Sequence, residues 1–186
     1  MKEYTIFIDG ISKAFAATGV RVGWALGPVN VISKMKALLS HIGAWAPMAE
    51  QVATAKYLVQ KDAIDNYFTS FKKQLEERLW AIYNGIVALK EKGYPVDAIV
   101  PQAAIYLTIS IDLAGKDVKG KTLATQANVT EYLLNEAKLA IVPFYAFGAN
   151  RQSPWYRLSI GTCSKEEIPE MLGMLENALQ KLVVLS

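Results

Sequence analysis

The sequence predicts an α/β chain, with an α+β arrangement for its carboxy-terminal part. Three observations lead there. Short alternating apolar stretches interrupt longer stretches of helical period. Two strand-like stretches open the chain at 4–9 and 20–26. The remaining strand-like stretches appear only after a long, mostly helical interval. The resulting division is 1–46 as part of one domain, 47–92 as a linking helical region, and 93–186 as a small carboxy-terminal domain.

Taken in order, "YTIFID" at 4–9 alternates and is rich in β-formers, so a strand delivers the chain to Gly10. "VRVGWAL" at 20–26 reads as a second strand, closed by Gly27-Pro28. A helix covers 29–41, "GAWAP" breaks it, and a further helical region begins near Pro47. The most periodic part is 62–92. There Ile64, Tyr67, Phe68, Phe71, Leu75, Leu79, Ile82, Ile86 and Leu89 recur at spacings of three and four. This is an amphipathic helix of about 28 residues, roughly 40 Å long. Its stripe of Ile64, Phe71, Leu75, Leu79 and Ile86 is expected to pack on the small-domain sheet. Gly93 stops it, with Lys90 and Lys92 in the last turn.

Beyond Pro95 the period changes to two. "AIYLTISID" at 104–112 reads as a half-buried strand, and "GKDVKGK" as a loop. "NVTEYLLNEAKLA" opens a helix on Asn128, with Glu131 three residues on. "IVPF" is a short strand. "WYRLSIG" at 155–161 is an alternating strand that puts Arg157 and Ser159 on one face and Tyr156, Leu158 and Ile160 on the other. A last helix runs from about 165, with Ser164 and Glu167 as its capping box and Pro169 in its first turn.

Composition narrows the function classes. Among 186 residues, 52% are hydrophobic and 20% charged, against a typical charged share of about 25%. That balance describes a large core. Net charge is +3 with bases scattered among acids, which argues against nucleic acid as a partner. One cysteine, Cys163, and one histidine, His41, exclude a disulfide framework and a soft-metal cluster. No apolar run approaches the ~20 residues of a membrane span. A cytoplasmic, soluble protein is the expectation.

The chemistry concentrates in "IDGISKAFAATGVRVGW", residues 8–24. Lys13 is either a solvated surface charge or an amine made nucleophilic by apolar company and a nearby cation. Arg21, beyond a Gly19 turn, supplies such a cation and a fork for a phosphate. An amine for an aldehyde and a counter-charge for a phosphate are what pyridoxal 5'-phosphate requires.

"GISKAFAATGVRVG" resembles the lysine-attachment pattern of the class I and II aminotransferases, fold type I pyridoxal phosphate-dependent enzymes. There a small residue and the lysine are followed by a spacer, then Gly, any residue, Arg, an aliphatic and Gly. "GWALGP", "PQAAIYLTISI", "VPFYAFG" and "WYRLSI" extend the resemblance over the chain, most closely to the aspartate aminotransferase-like branch and to its carboxy-terminal portion. The resemblance implies edge strands of a large-domain sheet, a long linking helix and a small domain. It implies Lys13 as the Schiff-base lysine and proton shuttle, Arg21 and Ser12 as cofactor-binding residues, and Arg157 as the fork for the substrate's α-carboxylate. It also implies amino-acid and 2-oxo-acid substrates and a homodimeric intact enzyme.

Two positions depart from the family pattern. Gly10 stands where a phosphate-binding hydroxyl is common, and Phe144 stands where "VPG" has glycine. The aspartate that serves the pyridine nitrogen belongs to the family's amino-terminal large domain. The expectation is therefore a carboxy-terminal fragment, inactive alone. The alternatives are a non-catalytic module for binding or assembly, and a lyase or synthase of the same superfamily.

Overall fold

The computed structural model describes residues 1–118, 120–161 and 163–183. They form two compact units, Met1–Phe68 and Thr69–Ser186, which divide within one long helix.

The first unit begins with a 3-10 turn, Lys2–Tyr4, and then strand β1, Phe7–Gly10. A four-residue helix α1, Ile11–Ala14, follows at once. After a 3-10 turn at Thr18–Val20 comes β2, Gly23–Leu26, antiparallel to β1 with Phe7 opposite Leu26 and Gly10 opposite Gly23. Both opening strands are shorter than their alternation predicts. The ladder ends at the Phe7–Leu26 pair, so residues before Phe7 have no strand to bond. Arg21 has φ 62°, a left-handed conformation that no strand accommodates. Helices α2, Val29–Ile42, and α3, Met48–Leu58, complete the unit with the start of α4, Lys61–Glu91.

In the second unit, α4 leads to β3, Val96–Ala98, through Gly93. Gly93 has φ +89°, and the next amide, Tyr94 N–H, donates to the Leu89 carbonyl at 3.2 Å. This satisfies a last-turn carbonyl in the manner of a left-handed cap. Strand β4, Tyr106–Ile111, pairs with β3 on one side and with β8, Trp155–Ser159, on the other. The edge strand is β7, Val142–Pro143, so the four strands run β3-β4-β8-β7, all antiparallel. Helices α5, Gln126–Glu136, and α6, Ile168–Gln180, supply the other layer.

One face of this sheet makes the core. Leu107, Ile109, Ile111, Tyr156 and Leu158 are buried with Ile82 and Ile86 of α4, Val129 and Leu133 of α5, and Leu175 and Leu179 of α6. This antiparallel sheet with helices is the α+β small domain expected from the period change. The α4 stripe is divided rather than continuous. Leu79, Ile82, Ile86 and Leu89 enter this core, with Leu75 at its margin, whereas Ile64, Tyr67 and Phe68 belong to the first unit.

Three local expectations are corrected. The cap of α5 is Thr125, not Asn128; the Thr125 hydroxyl accepts from the Asn128 amide at 3.3 Å, and Asn128 Oδ1 accepts from the Thr125 amide at 3.2 Å. The "GKDVKGK" stretch is a hairpin: β5, Asp117–Val118, and β6, Lys121–Thr122, pair and are joined by β9, Leu182–Val183. Its third strand comes from the far end of the chain, so no local pattern announces it. Lys119 within that stretch lies outside the described residues. Finally, α6 begins at Ile168 rather than 165. The Ser164 amide does donate to the Glu167 carboxylate at 2.8 Å, but turns fill the interval.

Tyr156 is a large polar side chain in the middle of the core, with 0% exposure. Its hydroxyl accepts from Gln126 Nε2 at 2.7 Å and lies 3.4 Å from Thr130 Oγ1. Burial pushes the phenol up to about 12 from the ordinary 10.0, against the opposing hydrogen bonds from Thr130 and Gln126. The folded value lies above the unfolded one. Tyr156 therefore contributes stability that is complete below pH 10 and is lost as pH rises towards 12. Between those limits denaturant unfolding should lose roughly 2–3 kcal/mol to this group. Tyr156→Phe should begin about 1–3 kcal/mol less stable at pH 8, because Gln126 loses its acceptor, and should decline less with alkali. Parallel alkaline declines for the two proteins would show that Tyr156 is not the cause.

Candidate active site

The site begins with a close backbone approach. A Cβ on Gly10 would lie 3.0 Å from the Val22 carbonyl oxygen and 3.2 Å from Gly23 Cα. A Cβ on Gly23 would lie 3.0 Å from the Asp9 carbonyl oxygen. Two facing residues without side chains thus let β1 and β2 converge where the chain turns into α1.

Ile11, buried, anchors that turn, and its amide donates to the Val22 carbonyl at 3.3 Å. Two residues on, Lys13 stands exposed in the same turn. Sequence reasoning places Lys13 at a strand end; the structure gives it a short helical turn of its own.

The return loop is tied to this turn. Thr18 Oγ1 donates to the Ser12 carbonyl at 3.1 Å, and Arg21 Nη1 donates to the Thr18 carbonyl at 2.9 Å. Ala16 and Arg21, with φ 48° and 62°, both hold left-handed backbone without being glycine. Such residues cost of order 1–3 kcal/mol each and persist where the surroundings determine them. Here the Thr18 contacts and the Gly10–Gly23 approach do so. Thr18 is the residue that sequence reasoning missed. Its only signal is its place in the spacer between lysine and arginine, where any residue satisfies the pattern.

Ser12, Lys13 and Arg21 line one open cleft of about 520 Å³, together with Asp9, Gly10 and Gly23. The three residues that the sequence pattern singles out for an amine, a hydroxyl and a guanidinium thus line a common volume. That donor set suits a ligand carrying an aldehyde and a phosphate. The Asp9 carboxylate, on the same lining, accepts from the Gly10 amide at 2.7 Å.

The lysine turn is also held from behind. Phe15 stacks on Tyr67 with centroids 5.9 Å apart, meets Phe68 at 5.0 Å, and forms a T-shaped pair with Tyr57 at 5.7 Å. Helices α3 and α4 thereby fix the exit of α1.

Arg157 lies in the second unit, on β8 opposite Thr108 of β4 and Val142 of β7. It stands on the sheet face away from Tyr156 and Leu158. Its guanidinium carbon is 4.5 Å from the Tyr106 ring centroid and 4.6 Å from that of Phe147. Its Nε is buried and has no hydrogen-bond partner among the described residues. Tyr106, on the neighbouring strand, is one of the two rings on the arginine.

A mixed fold of this kind, carrying a lysine turn tied to an arginine loop, has known relatives. The profile of the aminotransferase class I and II family matches residues 1–175. The chain belongs to that family, which is pyridoxal phosphate-dependent. The aspartate aminotransferase of Rhizobium meliloti strain 1021 is 31% identical over 185 residues, covering 98% of this chain and 42% of the relative. A probable aspartate/prephenate aminotransferase of Rickettsia typhi is 29% identical over 185 residues, again covering 98% of this chain, and 43% of its own length. Among solved structures, the Rhizobium meliloti aspartate aminotransferase superposes with a TM-score of 0.80 at 31% identity over 98% of this chain and 43% of that one. The aromatic aminotransferase of Pyrococcus horikoshii OT3 superposes with 0.81 at 27% identity, over 97% and 44% respectively. The chain therefore spans less than half the length of the relatives it matches.

Truncation of the aromatic anchor tests the local design. Phe15→Ala should destabilise the first unit by about 3 kcal/mol, the low end for a large ring because Phe15 is half-buried. Hydrogen exchange should show it as faster loss of the Phe15 and Ala16 amide protons, whose acceptors are Ile11 and Lys13 carbonyls. Unchanged exchange at these two amides would mean that the turn is held by the Gly10–Gly23 approach and the Thr18 hydrogen bonds without the ring cluster.

Proposed function

We propose that this chain carries the lysine and the carboxylate fork of a pyridoxal phosphate-dependent aminotransferase, which moves an amino group between an amino acid and a 2-oxo acid. A cytoplasmic homodimer belongs to the same proposal and rests on the family alone. The observation that carries it is the common cleft of Ser12, Lys13 and Arg21. An assembly module has no use for an amine and a guanidinium brought together at the cost of two left-handed residues.

When bound, pyridoxal phosphate supplies an aldehyde that takes up amines and a ring that drains electrons from the substrate's α-carbon. The chain's residues have separate tasks. Lys13 Nζ would hold the cofactor's aldehyde and, once released from it, would accept the α-proton and hand it back. Arg21 offers charge-assisted hydrogen bonds to the phosphate, with the Ser12 hydroxyl beside it. The Thr18 carbonyl engages one Nη of Arg21 and so orients the remaining donors. Arg157 presents a planar fork to the α-carboxylate, which a lysine's point charge does not reproduce.

The cleft is open and both Lys13 and Arg21 are exposed, so water competes for every donor in it. Catalysis needs donors held in a site that excludes water. The purified 186-residue chain should therefore bind the cofactor weakly and show no turnover above a Lys13→Ala control. Turnover by the chain above that control would overturn the inactivity.

Cofactor binding has its own readout. Borohydride reduction in the presence of pyridoxal phosphate should fix the cofactor on Lys13, seen as added mass on the peptide containing residue 13. Arg21→Lys should weaken pyridoxal phosphate by roughly 1.5–3 kcal/mol, the range for hydrogen bonds to charged groups, and leave pyridoxal, which lacks the phosphate, unaffected. Labelling spread over surface lysines, or an equal loss for both compounds, would refute the assignment of the cleft.

A further inference from the structure

The carboxylate fork is built into an aromatic stack, and that stack reaches the position where this sequence departs from its family. Tyr106 and Arg157 sit diagonally across the β4–β8 ladder, since Tyr106 pairs with Ser159 and Thr108 pairs with Arg157. Diagonal neighbours of one face are about 7–8 Å apart at Cα, within reach of an aromatic ring. Phe147 covers the guanidinium from the 3-10 turn Phe144–Phe147, and Phe144 meets Phe147 edge-on with centroids 6.4 Å apart. The turn is closed by Gly148 at φ +90°. A continuous arrangement results, Phe144 on Phe147, Phe147 on Arg157, Arg157 on Tyr106.

We infer that Tyr106 and Phe147 are positioning residues that clamp the Arg157 guanidinium and restrict it to in-plane recognition of a planar carboxylate, with Phe144 as the outer brace. The inference rests on the reading of Arg157 as the carboxylate fork and adds what holds the fork.

Electrostatics and geometry agree on this. A cation over a ring face is attracted by the ring quadrupole, and more strongly where water is removed. Both rings lie within ~6 Å of the charge, the range of that attraction. With rings engaging the guanidinium, the N–H groups that remain useful are those in its own plane. One of them is already desolvated, because Nε is buried and unpartnered among the described residues. A buried donor without an acceptor is costly to the free protein. A carboxylate oxygen brought to that edge removes the cost, and its second oxygen meets the neighbouring Nη in a bidentate pair. Phe147 is 57% exposed and contributes little to the core, so its conspicuous contact is with the arginine. Phe144 then reads as the aromatic that keeps Phe147 from swinging away.

The test uses the full chain without cofactor and follows the Arg157 Nε–H signal by nitrogen-15 NMR, assigned by its loss in Arg157→Lys. Propionate, a plain monocarboxylate, should shift this signal in the wild type, and methanesulfonate, with a third oxygen out of plane, should do so at least several-fold less well. Tyr106→Leu and Phe147→Leu should each weaken propionate about tenfold, while Tyr106→Phe and Phe147→Tyr should retain wild-type affinity because the ring is kept. Phe144→Leu should weaken it less than Phe147→Leu. Thermal unfolding of each variant separates this from loss of fold, since the conservative pair rescues binding only if the ring itself matters. Propionate binding that ignores all three leucine substitutions overturns the clamp and leaves the carboxylate fork standing. A wild-type Arg157 signal that ignores propionate overturns the clamp whatever turnover assays return.

Discussion

The pairing of β4 with β8 is the contact on which the second unit depends. Each strand alternates, so joining them in the observed register sends Leu107, Ile109, Tyr156 and Leu158 into one core. The same register leaves Arg157 and Tyr106 on the opposite face. Side-chain period in a strand is two, and a slip of one residue would exchange the two sets, placing a guanidinium in the core and Leu158 in solvent. Burying an unpaired guanidinium costs several kcal/mol, and exposing the apolar set forfeits its burial as well. The register is therefore strongly specified, and the position of Arg157, the proposed carboxylate fork, is a by-product of packing.

The first unit works on a different principle. Its two-stranded sheet has exposed apolar residues such as Phe7, Ile8 and Leu26, and it draws little from burial. What positions Lys13 is backbone geometry: the Gly10–Gly23 approach, the Thr18 hydrogen bonds, and the ring cluster behind Phe15. The left-handed Ala16 and Arg21 are the cost of turning an amine and a guanidinium toward one volume over so short a loop. Rigid core in one unit and strained loop in the other match the tasks proposed for them, a fixed fork and a reactive amine.

Much of this was legible in the residues. The 3.6-residue period of 62–92 marks a helix that runs Lys61–Glu91, and Gly93 marks its end, because only a residue without Cβ takes φ +89° at little cost. The alternation at 104–112 and 155–161 marks β4 and β8. Where reading failed, the deciding partner was distant or unusual. The hairpin of β5 and β6 acquires its third strand from β9, far along the chain. The α5 cap uses Asn128 as the reciprocal partner where Glu or Gln is the familiar one.

The sequence by itself determined the family and the longer elements, and it singled out Lys13, Arg21 and Arg157 as candidates, since each depends on residue type and spacing within a short span. Tertiary structure alone decided the rest. That Thr18 ties the lysine turn to Arg21 follows from a loop conformation with two left-handed residues, which no local preference announces. That Tyr106 and Phe147 face Arg157 follows from β4 and β8 being neighbours in a sheet whose strands are joined by dozens of intervening residues. Spacing along a chain encodes what one element does; only the packed fold sets which side chains of distant elements share a face.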